Sequence, residues 1–516
     1  MRGMSRWLLA IAVCGFPFLK LTAQDCPARP ASGTVVANPY SITSQNGALT
    51  AQFTLAHSVD AAGYTHYCYK YQVPGQAVEA PTLRVNPGDV INLNVIDAIN
   101  SDNSMKMDMA APSGPPCGDG GAATINSTNV HFHGMNVPPV CHQDDVINTL
   151  IQPGSPGFQF NVHVPTTQPP GLYWYHPHVH GFTEFQVNGG AAGAIVVNGM
   201  EKVRPEVAGL TERVFVVRQQ YLVPWIPGPY QLTLNYQTSF LAQFPVIDMK
   251  PGEKQFWRVA NATLQDFLEL QVQVNGVAVP LEMIALDGYP LAQTRNQTTI
   301  LMPPAGRAEF IVQAPTSGNA IFVTNAYSTG PTGNADIATT LGTIKTTTTA
   351  ASSHMPESTP PTADGVKFRN FALQPATTQR KLYFSEEFGG TNGPIQFYIT
   401  VDGQKQKVFE PNEQPVITTK VGAIEDWTVE NRALETHAFH IHQIHFRVIE
   451  VDGKPAPNTD LRDTIEIPYW EGKGPYHSVK LRMDFSDPST AGTFLFHCHI
   501  LLHEDLGMMH KILVTP

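Results

Sequence analysis

The chain has 516 residues, 42% hydrophobic and 15% charged, with a formal net charge of −11. That length exceeds what one hydrophobic core serves, so two to four domains are expected. The acidic balance argues against nucleic acid as a natural partner, and 41 Gly with 43 Pro point to a turn-rich, all-β architecture.

Residues 1–23 read as a secretory signal. Arg2 and Arg6 precede an apolar stretch from Trp7 to Leu19 that is too short to span a bilayer, and cleavage is expected near Ala23. No later run is apolar enough to cross a membrane, so the mature chain is expected to be secreted or periplasmic and free of the membrane. Losing Arg2, Arg6 and Lys20 but no acid brings its charge to about −14. Export implies an oxidising compartment. Cys14 leaves with the signal and Cys498 belongs to a motif described below. Cys26, Cys68, Cys117 and Cys141 allow three pairings, of which Cys26–Cys68 with Cys117–Cys141 closes the shortest loops and is expected.

Further along, "VINLNVID" (90–97) alternates Ile91, Leu93 and Val95 with Asn92 and Asn94, the period of a half-buried strand. "GAIVV" (193–197) and "RVFVV" (213–217) are short apolar runs suited to a sandwich core. One phrase recurs three times, as "VNPGDVINLNVIDAIN" (85–100), "MKPGEKQFWRVANAT" (249–263) and "TKVGAIEDWTVENRA" (419–433). Each has a turn with Gly, an alternating strand and a closing Asn. Three β-sandwich domains follow, at 24–200, 201–350 and 351–516, with the Thr/Ser/Pro-rich stretch 345–365 as linker before the third. The second copy has Phe267, Leu270 and Val272 where the third has His437, His440 and His442, so the middle domain is expected to be a metal-free spacer. "SMKMDM" (104–109) has two readings: Met105, Met107 and Met109 as soft ligands for Cu(I), or as packing on one strand face. Asn126, Asn261 and Asn296 lie in glycosylation sequons.

Four His-x-His pairs stand out: His131/His133, His176/His178, His440/His442 and His497/His499. On an extended strand, residues two apart share a face, so each pair presents two imidazoles together. One such pair is most often two ordinary histidines, but four pairs in two domains form a site. Eight neutral imidazoles suit copper, zinc or iron rather than calcium or magnesium, and exceed the four ligands of one zinc, so a cluster is expected. Copper also accounts for Cys498. A mononuclear site of two His, one thiolate and a weak axial Met can be drawn from His437, Cys498, His503 and Met508. Parity separates the two: His437 lies three before His440, and Cys498 points away from His497 and His499. Two centres on opposite sides of these strands are therefore expected, joined through residues 497–499. "GLYWYHPHVHGFTEFQ" (171–186) aligns with "GTFLFHCHILLHEDLG" (492–507), but the first domain has Pro177, Phe182 and Val187 at the places of Cys498, His503 and Met508. It can share the cluster but not build the mononuclear site, so domains one and three must meet.

With "HFHG", "WYHPHVHG", "HAFHIH" and "HCHILLHEDLGMM" together, the chain resembles the three-domain, laccase-type multicopper oxidases. The resemblance implies cupredoxin-like Greek-key sandwiches and four copper ions. It implies a type 1 copper on His437, Cys498, His503 and Met508, and a type 2 copper on His131 and His440. The type 3 pair would use His133, His176 and His499 on one ion, and His178, His442 and His497 on the other. It also implies a small-molecule donor, a phenol or aromatic amine, giving electrons at an exposed edge of His503, with dioxygen reduced to water beyond Cys498. A cuprous or other metal-ion oxidase in copper tolerance is the alternative. Glu504 resembles the family's proton-relay acid, against a solvated surface Glu, and Asp144 resembles a second such acid, with Asp145 competing. Two departures, Ala438 for Pro and Gln443-Ile444 for Gly-His, lie beside ligands and bear on substrate preference and potential.

Overall fold

Three pairs of β-sheets follow one another along the chain. The computed structural model describes residues 25–59, 65–100, 117–221, 230–239, 242–347, 374–389, 395–457 and 460–516. The signal segment, the stretch holding Met105, Met107 and Met109, and most of the linker lie outside these residues. In the first pair, one sheet runs in the order Ser41–Thr43, Thr82–Val85, Gly193–Val197, Gly171–His176, His131–His133. It faces a sheet ordered Phe158–His163, Val90–Asp97, Ala48–Val59, Thr65–Val73, Gln76–Glu79. The second pair has seven and six strands, the third seven and five.

The recurring phrase takes the same place in all three. Val90–Asp97, Lys254–Ala262 and Ile424–Asn431 each run parallel to an upstream strand and antiparallel to a downstream one. In Val90–Asp97 the alternation appears as burial: Ile91, Leu93 and Val95 have no exposure, while Asn92 and Asn94 are half-buried. Each such apolar side chain contributes about 1.5–3 kcal/mol. Asn261 and Asn431 close their strands alike, accepting from the backbone N–H two residues on at 3.1 and 2.9 Å. Burial takes Asn126 and Asn261 out of reach of glycosylation in the folded chain; Asn296 is exposed.

Phe267, Leu270 and Val272 are fully buried, as apolar side chains on that strand require. Leu270 and Val272 fill the middle core, whereas Phe267 packs into the third domain's core. The middle domain does more than hold the others apart. Small side chains, Ala192 and Ala194 against Ala260 and Ala262, let it approach the first domain closely. Buried Arg258 lies between Glu212 and Glu309, and Glu309 accepts the Leu172 N–H at 2.8 Å. Toward the third domain, Arg295 pairs with Asp460 at 2.6 Å, Arg462 with Asp287 at 2.5 Å, and Arg307 with Asp463. Domains one and three are joined directly by Asp505, whose carboxylate accepts from Thr183 N and Glu184 N at the start of the helix Thr183–Gly189, at 3.1 and 2.8 Å.

The disulfides are Cys26–Cys68 and Cys117–Cys141, with Cα separations of 5.9 and 5.6 Å. The second spans 24 residues of the chain that leads into and out of the His131–His133 strand. Replacing Cys117 and Cys141 by Ser is expected to cost about 3 kcal/mol, read as a lower urea midpoint by fluorescence. An unchanged midpoint would show that the loop is held without the bond.

Candidate metal centre

Two antiparallel pairings build the site. In the first domain His131–His133 pairs with Gly171–His176, placing His131 opposite His176. The strand ends at His176, before Pro177, and the His178 N–H donates to Asn129 Oδ1 at 2.6 Å. In the third domain His437–Ile441 pairs with Gly492–Cys498, placing His440 opposite His497 and Phe439 opposite Cys498. His442 and His499 lie one residue past these strands, with their N–H groups donating to Leu495 O and Ala438 O at 3.0 and 2.8 Å.

All eight paired histidines are buried and meet between the first and third domains. His131 stacks on His442 with ring centroids 3.9 Å apart, and His133 on His440 at 4.0 Å, each a first-domain ring on a third-domain ring. His497 Nε2 lies 3.4 Å from His178 Nε2 and 3.2 Å from His442 Nε2. His499 stands edge-on to His133 and His176, at 5.0 and 5.5 Å. Three groups bring ligand atoms within 4.8 Å of one another: His131/His440/His442, His131/His133/His176 and His178/His442/His497. Burial holds the rings neutral, lowering His176 to about 3 and His497 to about 4, and the others well below the usual value. Neutral imidazole is the form that binds metal.

One nitrogen of each anchored ring is tied to protein. His176 Nδ1 donates to Pro177 O at 2.8 Å, His440 Nδ1 to Asp463 O at 2.8 Å, and His497 Nδ1 to Cys498 O at 2.9 Å. His131 Nδ1 donates to the Asp144 carboxylate at 3.0 Å. The opposite nitrogens of His131, His176 and His440, all Nε2, have no protein partner. A ring anchored by one nitrogen with the other lone pair bare is the arrangement of a metal ligand. The donor set therefore fits a cluster of imidazole-loving ions such as copper.

Cys498 forms a second centre. It is fully buried and is the free cysteine among the described residues. Its Sγ faces Nδ1 of His437 at 3.6 Å and Nδ1 of His503 at 3.9 Å. Met508 is buried in the same core; its carbonyl accepts the Cys498 N–H at 3.0 Å and its N–H donates to His503 O at 2.8 Å. Burial pushes the thiol up, so a thiolate here needs a cation beside it.

The acids are buried too. Glu504 has no exposure, which removes the solvated-surface reading, and lies 3.5 Å from His178 Nδ1 and 3.3 Å from His497 Nδ1. Asp144 also accepts the Phe132 N–H at 2.9 Å and the Gln443 amide at 2.5 Å, while burial pushes its carboxyl up to about 8. Asp145 turns instead to Asn148 at 3.0 Å. Gln443, one of the two departures, reaches Asp144 from backbone at φ 59.

One expectation fails. His503 has no open edge: it is 3% exposed, Phe397 stacks on it at 3.9 Å, and its Nε2 faces Glu435 at 3.6 Å. The cause is remote in sequence, since the edge strand Ile395–Val401 lays Phe397 over the ring. Glu386 stands likewise at His437 Nε2, 3.4 Å away. Besides these acids, sequence reasoning missed Trp174, stacked on His176 at 4.2 Å, and Asp463. Nothing in "LRDTIEI" marks Asp463; only the pairing of His437–Ile441 with Thr464–Ile467 brings it beside His440. Of the other histidines near the motifs, His445 donates to Asp287 O at 2.8 Å and His510 pairs with Glu413 at 2.6 Å.

The sequence matches the multicopper oxidase family over residues 123–202, 208–349 and 389–516. A multicopper oxidase of Staphylococcus epidermidis is 24% identical over 455 residues, covering 84% of this chain and 82% of the relative. A laccase of Bacillus subtilis is 22% identical over 425 residues, covering 75% and 80%. Among solved structures, a multicopper oxidase from Campylobacter jejuni, described as a metallo-oxidase, superposes with a TM-score of 0.67 at 22% identity, covering 95% of this chain and 96% of that one. Three cupredoxin-like sandwiches, a histidine cluster shared by the outer two and these matches have one conclusion: the chain belongs to the laccase-like multicopper oxidases.

Proposed function

We propose that this enzyme takes electrons singly from a phenolic or aromatic amine donor and reduces dioxygen to water. The observation that carries this reading is the 497–499 step, which sets Cys498 in one buried centre and both flanking histidines in another. His437, Cys498, His503 and Met508 would hold type 1 copper, and His131 and His440 type 2. His133, His176 and His499, with His178, His442 and His497, would hold the type 3 pair. When bound, these four ions supply one-electron acceptance at the first centre and four-electron delivery to dioxygen at the second.

The chain's own share is positioning, water exclusion and proton supply. The backbone of 497–499 and the His497 Nδ1–H bond to Cys498 O, at 2.9 Å, join the centres by the shortest route the fold offers. Glu504 stands behind two rings of the cluster and Asp144 behind a third, each placed to hand protons inward. On the donor side, Glu386 and Glu435 back the two imidazoles of the first centre, and a phenol or amine that loses a proton with its electron finds an acceptor there. The same acids favour a second reading, a cuprous or other metal-ion oxidase, because paired carboxylates also draw cations. Met105, Met107 and Met109 would be its soft counterpart. With residues 1–23 acting as a signal, the enzyme would work in the periplasm or outside the cell.

Copper-loaded protein is expected to carry an intense blue thiolate band that Cys498→Ser abolishes together with turnover; a colourless, copper-replete wild type would overturn the type 1 assignment. Asp144→Asn and Glu504→Gln should each lower kcat about 10–100-fold. The blue band should still bleach at the wild-type rate when donor is added without oxygen, since these acids serve only the far side. The two donor readings separate when phenol and Cu(I) oxidation are compared before and after changing Met105, Met107 and Met109 to Leu. Negligible phenol turnover, with Cu(I) turnover lost in the variant, selects the metal-ion oxidase.

A further inference from the structure

We propose that Arg307, from the domain that supplies no copper ligand, is a positioning residue for the histidine cluster: through Asp463 it decides which nitrogens of His133 and His440 are free for metal. The inference rests on the reading that these histidines hold copper. Arg307 has no exposure, and its guanidinium is saturated by groups from all three domains. Nη1 donates to Asp463 Oδ1 at 2.8 Å and to Ala305 O at 2.7 Å. Nη2 donates to Asp463 Oδ2 and to Asp287 O, the latter at 3.0 Å, and Nε to Leu172 O at 3.4 Å. The planar fork thus holds the Asp463 carboxylate from both oxygens, a geometry that Lys cannot reproduce.

Asp463 passes that constraint to one ligand from each copper-binding domain. Its Oδ1 faces His133 Nε2 at 3.4 Å and accepts from Thr464 Oγ1 at 2.8 Å, while its main-chain oxygen accepts from His440 Nδ1 at 2.8 Å. An ionised carboxylate only accepts, so His133 must carry its proton on Nε2. That leaves the lone pair on Nδ1, which has no protein partner; His440 is the mirror case, protonated on Nδ1 with Nε2 bare. His133, His440 and Asp463 also have metal-binding spacing among themselves, but the nitrogens nearest the acid are opposite the bare ones, so Asp463 stands behind the rings. Without the guanidinium, a neutral Asp463 could donate to His133 and turn the ring's free lone pair away from the metal. The approach is close: a Cβ on Gly134, the residue after His133, would collide with both Arg307 and Asp463. Docking of the middle domain and assembly of the cluster are therefore one event.

The test compares wild type, Arg307→Gln, Arg307→Lys and Asp463→Asn, the last keeping side-chain volume while removing charge. In the copper-free chain, histidine ¹⁵N shifts should report His133 as the Nε2–H tautomer in wild type and a mixture in Asp463→Asn. After copper loading and dialysis, Arg307→Gln and Asp463→Asn should keep the blue band of the third domain yet hold cluster copper about 10–100-fold more weakly, with an altered type 2 electron-spin signal. Arg307→Lys should fall between. Asp463→Asn with full copper, an unchanged signal and an unchanged tautomer overturns the proposal. So does loss of the blue band together with all other copper in Arg307→Gln while Asp463→Asn behaves as wild type, because Arg307 would then serve domain packing alone. A wild type that binds no cluster copper defeats the functional reading instead, and the copper-free ¹⁵N result still decides the positioning role by itself.

Discussion

Adjacent side chains on an extended strand point to opposite faces, and in the third domain this decides where both centres lie. Phe494, Phe496 and Cys498 face the sandwich core, while Leu495 and His497 face outward. The partner strand obeys the same rule, with His437, Phe439 and Ile441 inward and His440 outward. The cysteine centre is therefore inside a domain and the cluster is between domains, one peptide unit apart. Register holds the arrangement in place. A slip of one residue would send Phe496 to the interface and His497 into the core, and the burial of those aromatics opposes it.

An interface that gathers eight bare imidazole lone pairs has little reason to close by itself. Ion pairs around it supply specificity more than stability. Buried pairs such as Arg258 with Glu212 and Glu309, or Arg307 with Asp463, gain little over apolar packing, yet any docking that separates them strands charges away from water. The three sandwiches thus have one favourable arrangement. Asp505 adds a direct tie by meeting the first turn of the helix Thr183–Gly189, while its neighbour Glu504 faces the cluster. Adjacent acids in one short helix therefore serve assembly and chemistry separately.

The three copies of the recurring strand show what changes when a domain gives up metal. Phe267, Leu270 and Val272 take places homologous in sequence to three ligands, and burial is complete at all of them. Phe267 goes further and fills space in the neighbouring core that carries Cys498. The middle domain exchanged ligands for contacts, and those contacts hold the outer two domains at the distance the cluster needs.

Much was legible in the linear order of residues because strands impose a period of two. Alternation at 90–97, the thrice-repeated turn and strand, the His-x-His pairs and the parity of His437 and Cys498 all follow from that period. So did the absence of ligands in the middle copy, and the disulfides followed from loop length. Tertiary structure decided the rest. Asp463, Arg307, Trp174, Glu386, Glu435 and Phe397 act on the site from strands far away in sequence, and no local pattern ties a lone acid or aromatic to a ring reached only through sheet pairing and domain docking. The covering of His503 is the clearest case: its own segment specifies a ligand, but whether that ligand meets solvent depends on an edge strand roughly a hundred residues upstream.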